Sequence, residues 1–214
     1  GLYDVRPGNV YQQIFDFDSL YPQLLNNSQT STYTSLQPAD IEFIGDEARA
    51  DRSKLPRSDL QPWLSPGDAG VFPGDSFQWA LLECYANGSN GIWFWSSRMW
   101  DSEDLIAYNR VIRAIAPLED VIVKGDLVGT SATIDGAGRV SGMKLGNRMM
   151  LLAADYFDKS DGSLKFNLTL PVKSQLRDLL TGKPIGKVLS AGKQTVTIPL
   201  NGQRARLLEV VPQK

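Results

Sequence analysis

Residues 62–116 decide the fold, and they read PWLSPGDAGVFPGDSFQWALLECYANGSNGIWFWSSRMWDSEDLIAYNRVIRAIA. Short apolar runs lie at 62–67 and 91–95, and each is followed by a longer segment with a helical pattern. Runs of this length bounded by Gly, Pro and Ser are typical of strands. The run at 91–95 is almost wholly apolar, so we expect a strand covered on both faces, as in a parallel sheet.

Both helical segments carry their own stop and start signals. Between Ser76 and Gly88, apolar residues recur at helical spacing, and Asn87-Gly88 provides a left-handed stop. In the second segment, Asp101 or Ser102 can cap the helix, and the apolar residues form one stripe before Pro117. That stripe comprises Leu105, Tyr108, Val111, Ile112 and Ile115.

Two further strand candidates lie upstream, at Tyr11–Phe17 and at Ile41–Gly45. With the runs at 62–67 and 91–95 they predict four strand-helix (βα) units. Short connections between alternating strands and helices favour parallel neighbours with right-handed crossovers.

From about Leu118 the period of the pattern changes to two. In residues 164–170, Leu, Phe, Leu and Leu alternate with polar residues, which predicts a half-buried antiparallel strand. Turn signals separate similar segments, at Asp135-Gly136, Asp161-Gly162, Thr181–Pro184 and Asn201-Gly202. These segments are 130–134, 140–145, 149–154, 194–200 and 204–211, and together they predict a β-sandwich of about 90 residues.

Composition excludes several classes of chemistry. The 214 residues contain no histidine, which removes Ser-His-Asp catalysis, histidine-ligated zinc or haem, and a histidine pH switch. The single cysteine, Cys84, excludes an internal disulfide or a cysteine metal cluster, and its apolar neighbours indicate a core thiol. We therefore expect no metal and no cofactor.

Charge and hydropathy also restrict the partners. The 22 basic residues against 24 acidic ones give a formal net charge of −2, so nucleic acid is not expected as a partner. No apolar run is long enough to span a membrane, and no signal sequence opens the chain. Because the chain begins at Gly1 without methionine, we leave the compartment open, with a periplasmic or secreted location expected if a signal peptide was removed upstream.

The stretches 62–68, 91–96 and 114–117 resemble the last two βα units of a glycoside hydrolase (β/α) barrel. The segments 147–156 and 177–183 are similar to the β-sandwich that follows such barrels. The predicted fold class is therefore α/β plus all-β: a partial (β/α) barrel of about the last four βα units, residues 1–117, followed by an antiparallel β-sandwich accessory domain, residues 118–214.

A complete barrel needs about 250 residues, which is more than twice the length available before residue 118. An uncovered parallel edge favours association, so the resemblance predicts either a missing N-terminal half or another copy of the chain as a partner. What the absent strands contribute to the chemistry would lie outside this chain.

Glycoside hydrolysis uses two carboxylates about 5 to 9.5 Å apart. Alternation places Asp16 and Asp18 on one face of the first predicted strand, at the carboxyl end where barrel sites lie. Apolar neighbours would raise their pKa values, as a general acid requires. The alternative is that Asp18 caps the next turn and Asp16 bonds a neighbouring loop.

Three further acids are catalytic candidates. Asp46 and Glu47 follow the second predicted strand, and Asp68 follows the third, where by resemblance many retaining barrel glycosidases carry their nucleophile. The alternatives are a turn around Asp68 and a helix start at Asp46-Glu47, with Arg49 and Arg52 on a solvated face.

Aromatic residues are the firmer signal for sugar binding, because pyranose C–H faces stack on Trp while hydroxyls bond to polar side chains. Trp63 starts the third predicted strand and Trp95 ends the fourth, and the loop beyond carries further candidates. The predicted substrate-binding residues are Trp63, Trp95, Arg98, Trp100 and Asp101, with Trp79 and Trp93 interpreted as core.

The sequence therefore predicts the C-terminal portion of a glycoside hydrolase that cleaves glycosidic bonds through paired carboxylates and takes carbohydrate as its substrate. The alternative is a non-catalytic carbohydrate-binding or structural accessory module. Association through the exposed sheet edge is a third possibility.

Overall fold

The computed structural model describes residues 27–28, 38–56, 58–64, 66, 74–94 and 100–213. Two compact units divide the chain, unit 1 from Gly1 to Asn109 and unit 2 from Arg110 to Lys214. Within the described ranges, every helix is too short or too polar to cross a membrane.

Very short parallel strands alternate with helices in the first half of the chain. The strands are β1 (Asn27–Ser28), β2 (Asp59–Leu60), β3 (Trp63–Leu64) and β4 (Trp93–Phe94), and the helices are α1 (Pro38–Lys54), α2 (Gly74–Ala86) and α3 (Ser102–Ile115). β1 pairs with β2 and β3 pairs with β4, both in parallel. Only two residues separate β2 from β3, so one stretch of chain joins the two pairs. α1 and α2 are the crossovers between parallel neighbours.

The strands and the helix predicted within residues 62–95 are confirmed where the structure describes them. The third and fourth predicted strands contain β3 and β4, and they pair in parallel. α2 ends at Ala86, and Gly88 has φ +104°, the left-handed stop expected from Asn87-Gly88. The first predicted strand, Tyr11–Phe17, lies outside the described residues.

The strand predicted at Ile41–Gly45 is wrong, because these residues lie inside α1. Ile41, Ile44 and Ala48 are buried at helical spacing on one side of α1. Pro38 at the first helical position and Asp40 in the first turn favour a helix start. A five-residue apolar run fits a strand or a buried helix segment equally well, and the longer period decides between them.

α3 begins as predicted, since Asp101 Oδ1 accepts the Asp104 backbone N–H at 2.9 Å. Its buried face differs from the predicted stripe, because Leu105 is 53% exposed. Val111 and Ile115 of that stripe are buried as predicted, and the other buried positions are Asp104, Ala107 and Ala114. Ala107 and Ala114 face the interior, and a prediction based on large apolar residues does not include them.

Cys84 lies on α2 and is fully buried. Burial raises the pKa of its thiol, and the neighbouring Glu83 carboxylate raises it further. The prediction of a core thiol is confirmed, and the thiol is held protonated at neutral pH.

Unit 2 is built from antiparallel strands. The strands are β5 (Asp126–Leu127), β6 (Ala132–Ile134), β7 (Arg139–Leu145), β8 (Arg148–Ala154), β9 (Ser163–Leu170), β10 (Ser174–Asp178), β11 (Pro184–Leu189), β12 (Gly192–Pro199) and β13 (Ala205–Pro212). A short helix, α4 (Glu119–Lys124), precedes them. A six-stranded sheet has the order β11-β10-β13-β8-β7-β5, and a three-stranded sheet has the order β12-β9-β6.

One hydrophobic core takes residues from both sheets of unit 2. The side chains of Leu164, Phe166, Leu168 and Leu170 in β9 point into it, as the alternation predicted. β8 and β13 contribute from the other sheet. The turns at Asp161-Gly162 and Asn201-Gly202 have positive φ at both residues, which suits tight turns, and each precedes a strand that lies in the other sheet from the strand before it.

Four elements of unit 2 were not predicted as such. α4 has six residues and β5 has two, so both are too short to show a period. β10 contains one apolar residue, and none of the six residues of β11 is buried at its edge of the sheet. Their pairing with β13 and with each other organises them.

Candidate functional site

The parallel pair β3–β4 has two different faces. Leu64 lies opposite Phe94 in the register, and Trp63 lies opposite Trp93. Leu64 is buried, and the Phe94 ring meets Phe77 of α2 edge-on at a centroid distance of 6.0 Å. Because side chains alternate along a strand, this face lies against the helices and the two tryptophans lie on the opposite face.

The two tryptophans stack on each other on this second face. Their ring centroids are 5.7 Å apart with planes 27° from parallel, and Trp93 is 46% exposed. Trp93 Nε1–H donates to Gln61 Oε1 at 2.8 Å, and Gln61 precedes Trp63 by two positions on the same face. We call Gln61, Trp63 and Trp93 the tryptophan face. It presents an apolar ring surface beside an amide, the pair of groups that a sugar ring uses.

Arg52 links the chain segments that lead into β3 and β4. Its buried guanidinium donates to the backbone oxygens of Gly88 (2.9 Å) and Ser58 (3.0 Å), and to the Asn90 side chain. Asn90 in turn accepts from Leu60 N–H at 3.0 Å and donates its own N–H to Leu60 O at 2.8 Å. The chain before β3 and the chain before β4 are thereby fixed to each other.

This arrangement corrects two sequence interpretations. Arg52 was expected on a solvated face, but it is buried because carbonyl groups distant in sequence surround its guanidinium. Trp93 was expected in the core, on a strand covered on both faces, yet the described residues leave its face open. A two-residue strand does not reveal from sequence which of its faces is covered.

Trp100 lies on the helix side of β4. Its ring meets Phe94 edge-on at 4.6 Å, Phe77 at 5.6 Å and Tyr108 at 5.7 Å between centroids. It therefore packs in an aromatic cluster on the face opposite the tryptophan face. Its predicted substrate-binding role remains a prediction, as does that of Asp101, whose carboxylate caps α3.

Glu47 lies in the middle of α1 and is 4% exposed. It was proposed as a catalytic acid because it followed a predicted strand, and that strand is part of a helix. The positional reason is therefore lost, and a catalytic role for Glu47 remains a prediction.

Five other candidates lie outside the described residues: Asp16, Asp18, Asp68, Trp95 and Arg98. Of the predicted set, the structure brings Trp63 to an exposed face together with two residues that sequence reasoning missed, Gln61 and Trp93. The sequence contained an indication of both residues, because Gln61 lies two positions before Trp63 and Trp93 lies two positions before Trp95. Residues two positions apart in a strand share a face.

The described residues near this region include Tyr85, a tyrosine whose pKa is shifted. Burial raises the pKa of Tyr85, and the neighbouring Tyr108 and Cys84 add to the rise. In the described part of the chain, no three acidic or cysteine side chains converge as metal ligands do.

The fold of the chain is similar to parts of solved glycoside hydrolase structures. One similar structure is a GH27 β-L-arabinopyranosidase from Geobacillus stearothermophilus in complex with arabinose, with a TM-score of 0.63 at 11% identity, covering 94% of this chain and 48% of that one. An α-amylase from Geobacillus thermoleovorans, complexed with acarbose, matches with a TM-score of 0.51 at 11% identity over 92% of this chain and 55% of that one.

A maltogenic α-amylase from Thermotoga neapolitana matches with a TM-score of 0.50 at 12% identity, over 99% of this chain and 61% of that one. The chain thus spans about half the length of the solved structures it matches. No family model and no curated protein matches the sequence. At these identities the likeness defines the fold alone.

Proposed function

We propose that the chain is the C-terminal portion of a glycoside hydrolase. In this proposal residues 1–117 form the last βα units of a (β/α) barrel, and residues 118–214 form a β-sandwich accessory domain. The parallel strand pairs with their crossover helices support the first part. The two antiparallel sheets with one shared core support the second.

The observation that carries the proposal is the tryptophan face. The two rings are stacked at parallel strands, and Trp93 is 46% exposed while Trp63 is half-buried, so part of an aromatic surface is open to a ligand. The Trp93 ring offers a flat apolar platform, and the Gln61 amide beside it has further hydrogen-bonding capacity. Sugar rings combine an apolar C–H face with hydroxyl groups, so they match both features.

The reaction we propose is hydrolysis of a glycosidic bond by two carboxylates. One carboxylic acid protonates the leaving oxygen, and the other carboxylate either attacks the anomeric carbon or removes a proton from the attacking water. The candidate acids are Asp16, Asp18 and Asp68, with Glu47 retained as a prediction. No cofactor takes part in this scheme.

The proposal also requires a partner for the barrel sheet. Within the described residues, β4 pairs with β3 and with no other strand. An unpaired parallel edge beside an exposed apolar face favours addition of further strands. We propose that the missing N-terminal half of the barrel, or another copy of the chain, supplies them.

Saccharide binding by the chain tests this site. Trp93→Ala should weaken binding of a soluble saccharide by about two- to tenfold, since an aromatic contact contributes about 0.5–1.5 kcal/mol. Trp93→Phe should lose less, because it keeps an aromatic ring. The measurement is the shift of the indole N–H signals in an NMR titration with arabinose, xylose, glucose and maltotriose.

The matched control is Phe157→Ala, because Phe157 is an aromatic residue of similar exposure, 44%, in unit 2. It should bind saccharides as the unchanged chain does. If Trp93→Ala and Phe157→Ala bind equally well, the tryptophan face is not the sugar site.

A non-catalytic carbohydrate-binding or structural accessory role is the second candidate. It is favoured by one observation: the predicted catalytic acids that the structure describes, Asp46 and Glu47, lie inside helix α1 and not at the end of a strand. Under this alternative the tryptophan face would bind sugar without cleaving it.

A further inference from the structure

The outer surface of the three-stranded sheet carries a polar cavity far along the chain from the tryptophan face. It has a volume of about 310 Å³ and is lined by polar side chains above the buried Phe166. Lys165 and Asn167 come from β9, Thr195 comes from β12, and Asp135 directly follows β6. We call these four side chains the sheet cavity. Its volume lies at the lower end of the range for small-molecule sites.

Strand pairing fixes the positions of these groups. Asn167 in the central strand lies opposite Thr195 on one side and opposite Thr133 on the other. Asp135 follows Ile134, which pairs with Phe166. Three neighbouring strands therefore hold the four side chains on a rigid surface, and β9 and β12 are paired along eight successive residues.

A chain of hydrogen bonds orients the polar groups. Thr195 Oγ1–H donates to Asn167 Oδ1 at 3.0 Å, and Asn167 Nδ2–H donates to Asp135 Oδ2 at 3.4 Å. After these bonds, the Asp135 carboxylate retains acceptor sites and the Asn167 amide retains a second N–H. The Lys165 ammonium adds up to three donors.

The mixture of charges selects the kind of ligand. A free anion would be repelled by Asp135, and a free cation would be repelled by Lys165. A neutral molecule bearing several hydroxyl groups satisfies both, because each hydroxyl donates to the carboxylate and accepts from the amide or the ammonium. The lining carries no exposed aromatic ring, so recognition here runs through hydroxyl groups rather than stacking.

We propose that the sheet cavity is a second saccharide site, which binds a sugar by its hydroxyl edge. The choice of a sugar among neutral polyols rests on the proposed function. The evidence for the cavity is independent of that function. The site makes the β-sheet unit a binding module in its own right. It would hold a saccharide on unit 2 independently of any hydrolysis.

The test is a titration of the full chain with arabinose, xylose, glucose and maltotriose, followed by backbone amide NMR shifts. We expect shifts at residues 133–135, 165–167 and 194–196. Asp135→Asn should weaken this binding by about tenfold or more, because it removes a charged hydrogen-bond acceptor. Asn167→Ala should also weaken it.

The matched control is Lys193→Ala, an exposed lysine on β12 that does not line the cavity. It should leave the shifts unchanged, and far-UV circular dichroism should show that all variants are folded. The proposal is overturned if no saccharide shifts these amides, or if Asp135→Asn and Asn167→Ala bind as Lys193→Ala does.

The titration separates this proposal from the previous one. Shifts at the sheet cavity that persist in Trp93→Ala support a second site. Shifts confined to the Trp93 indole support the tryptophan face and contradict the sheet cavity. Shifts confined to the sheet cavity support this inference and contradict the tryptophan face.

Discussion

Arg206 and Asp178 form a buried ion pair in unit 2. Arg206 Nε donates to Asp178 Oδ2 at 2.6 Å, and both side chains are almost fully buried. Asp178 Oδ1 also accepts the N–H and the hydroxyl of Thr181, at 2.7 and 2.9 Å, while Arg206 donates to Pro199 O at 2.7 Å. The pair therefore ties the end of β10, the following turn and the end of β12 to β13.

Asp178→Asn should destabilise the protein by about 3–5 kcal/mol, because it leaves the buried guanidinium without a compensating charge. Urea unfolding followed by circular dichroism measures the change. The matched control is Asp158→Asn, which removes an exposed carboxylate that pairs with Arg204 at 3.1 Å.

An exposed pair contributes about 0–1 kcal/mol, and Asn tolerates the positive φ of Asp158. The control should therefore unfold close to the urea concentration of the unchanged chain. Equal midpoints for Asp178→Asn and Asp158→Asn would show that the buried pair does not stabilise the fold.

At the level of elements, the connection between α2 and β4 depends on one glycine. Gly88 has φ +104°, and a Cβ atom there would lie 2.7 Å from Arg52 Cβ and Cγ. Side chains rarely adopt this backbone conformation, and the clash falls on the arginine that holds the strands together. The connection therefore needs both the left-handed conformation and the absence of a side chain.

Gly88→Ala should destabilise the protein by about 2–3 kcal/mol through backbone strain and displacement of Arg52. The midpoint of urea unfolding measures this loss. Gly91→Ala is the matched control three residues later, because its Cβ would meet Gln61 Cγ at an ordinary 3.4 Å. It should change stability by less than about 0.5 kcal/mol. The structural argument fails if the two variants unfold alike.

A comparison of α1 with α2 shows which helices a local sequence pattern can predict. α2 was predicted because thirteen residues show one period and end at a glycine stop. The sequence predicted a strand and a helix start within the residues that form α1. Three buried positions of α1 are polar, Glu47, Asp51 and Arg52, so its apolar residues alone do not show the helical period. Burial of polar residues depends on partners elsewhere in the chain, which a local period does not show.

For the whole molecule, the proposed hydrolysis requires a complete barrel. The chain by itself should cleave p-nitrophenyl glycosides no faster than buffer, since half of the sheet would be absent. In the longer protein that the proposal requires, Asp18→Asn or Asp68→Asn should lower kcat by orders of magnitude.

Glu47→Gln serves as a direct test in the same assay. If Glu47 is catalytic, its kcat falls as for Asp68→Asn; if it is structural, kcat holds while the unfolding midpoint falls. Asp161→Asn, in an exposed turn of unit 2, is the control and should retain full kcat. An unchanged kcat in both Asp18→Asn and Asp68→Asn would contradict the proposed pair of acids.

Sequence alone determined the features that depend on neighbours along the chain. These are the alternating strand β9, the helix α2 with its glycine stop, the Asp101 cap and the tight turns of unit 2. Each is set by spacing or by a backbone conformation that few residues adopt, so short-range sterics and hydrogen bonding are sufficient.

The tertiary structure decided which faces are covered. The Trp93 side chain is exposed because α2 and α3 cover the other face of β4. Arg52 is buried because the Gly88 and Ser58 carbonyl groups surround its guanidinium. The sheet cavity likewise brings together Asp135, Asn167 and Thr195 from three strands. These features depend on contacts between distant residues, whose pairing no local pattern contains.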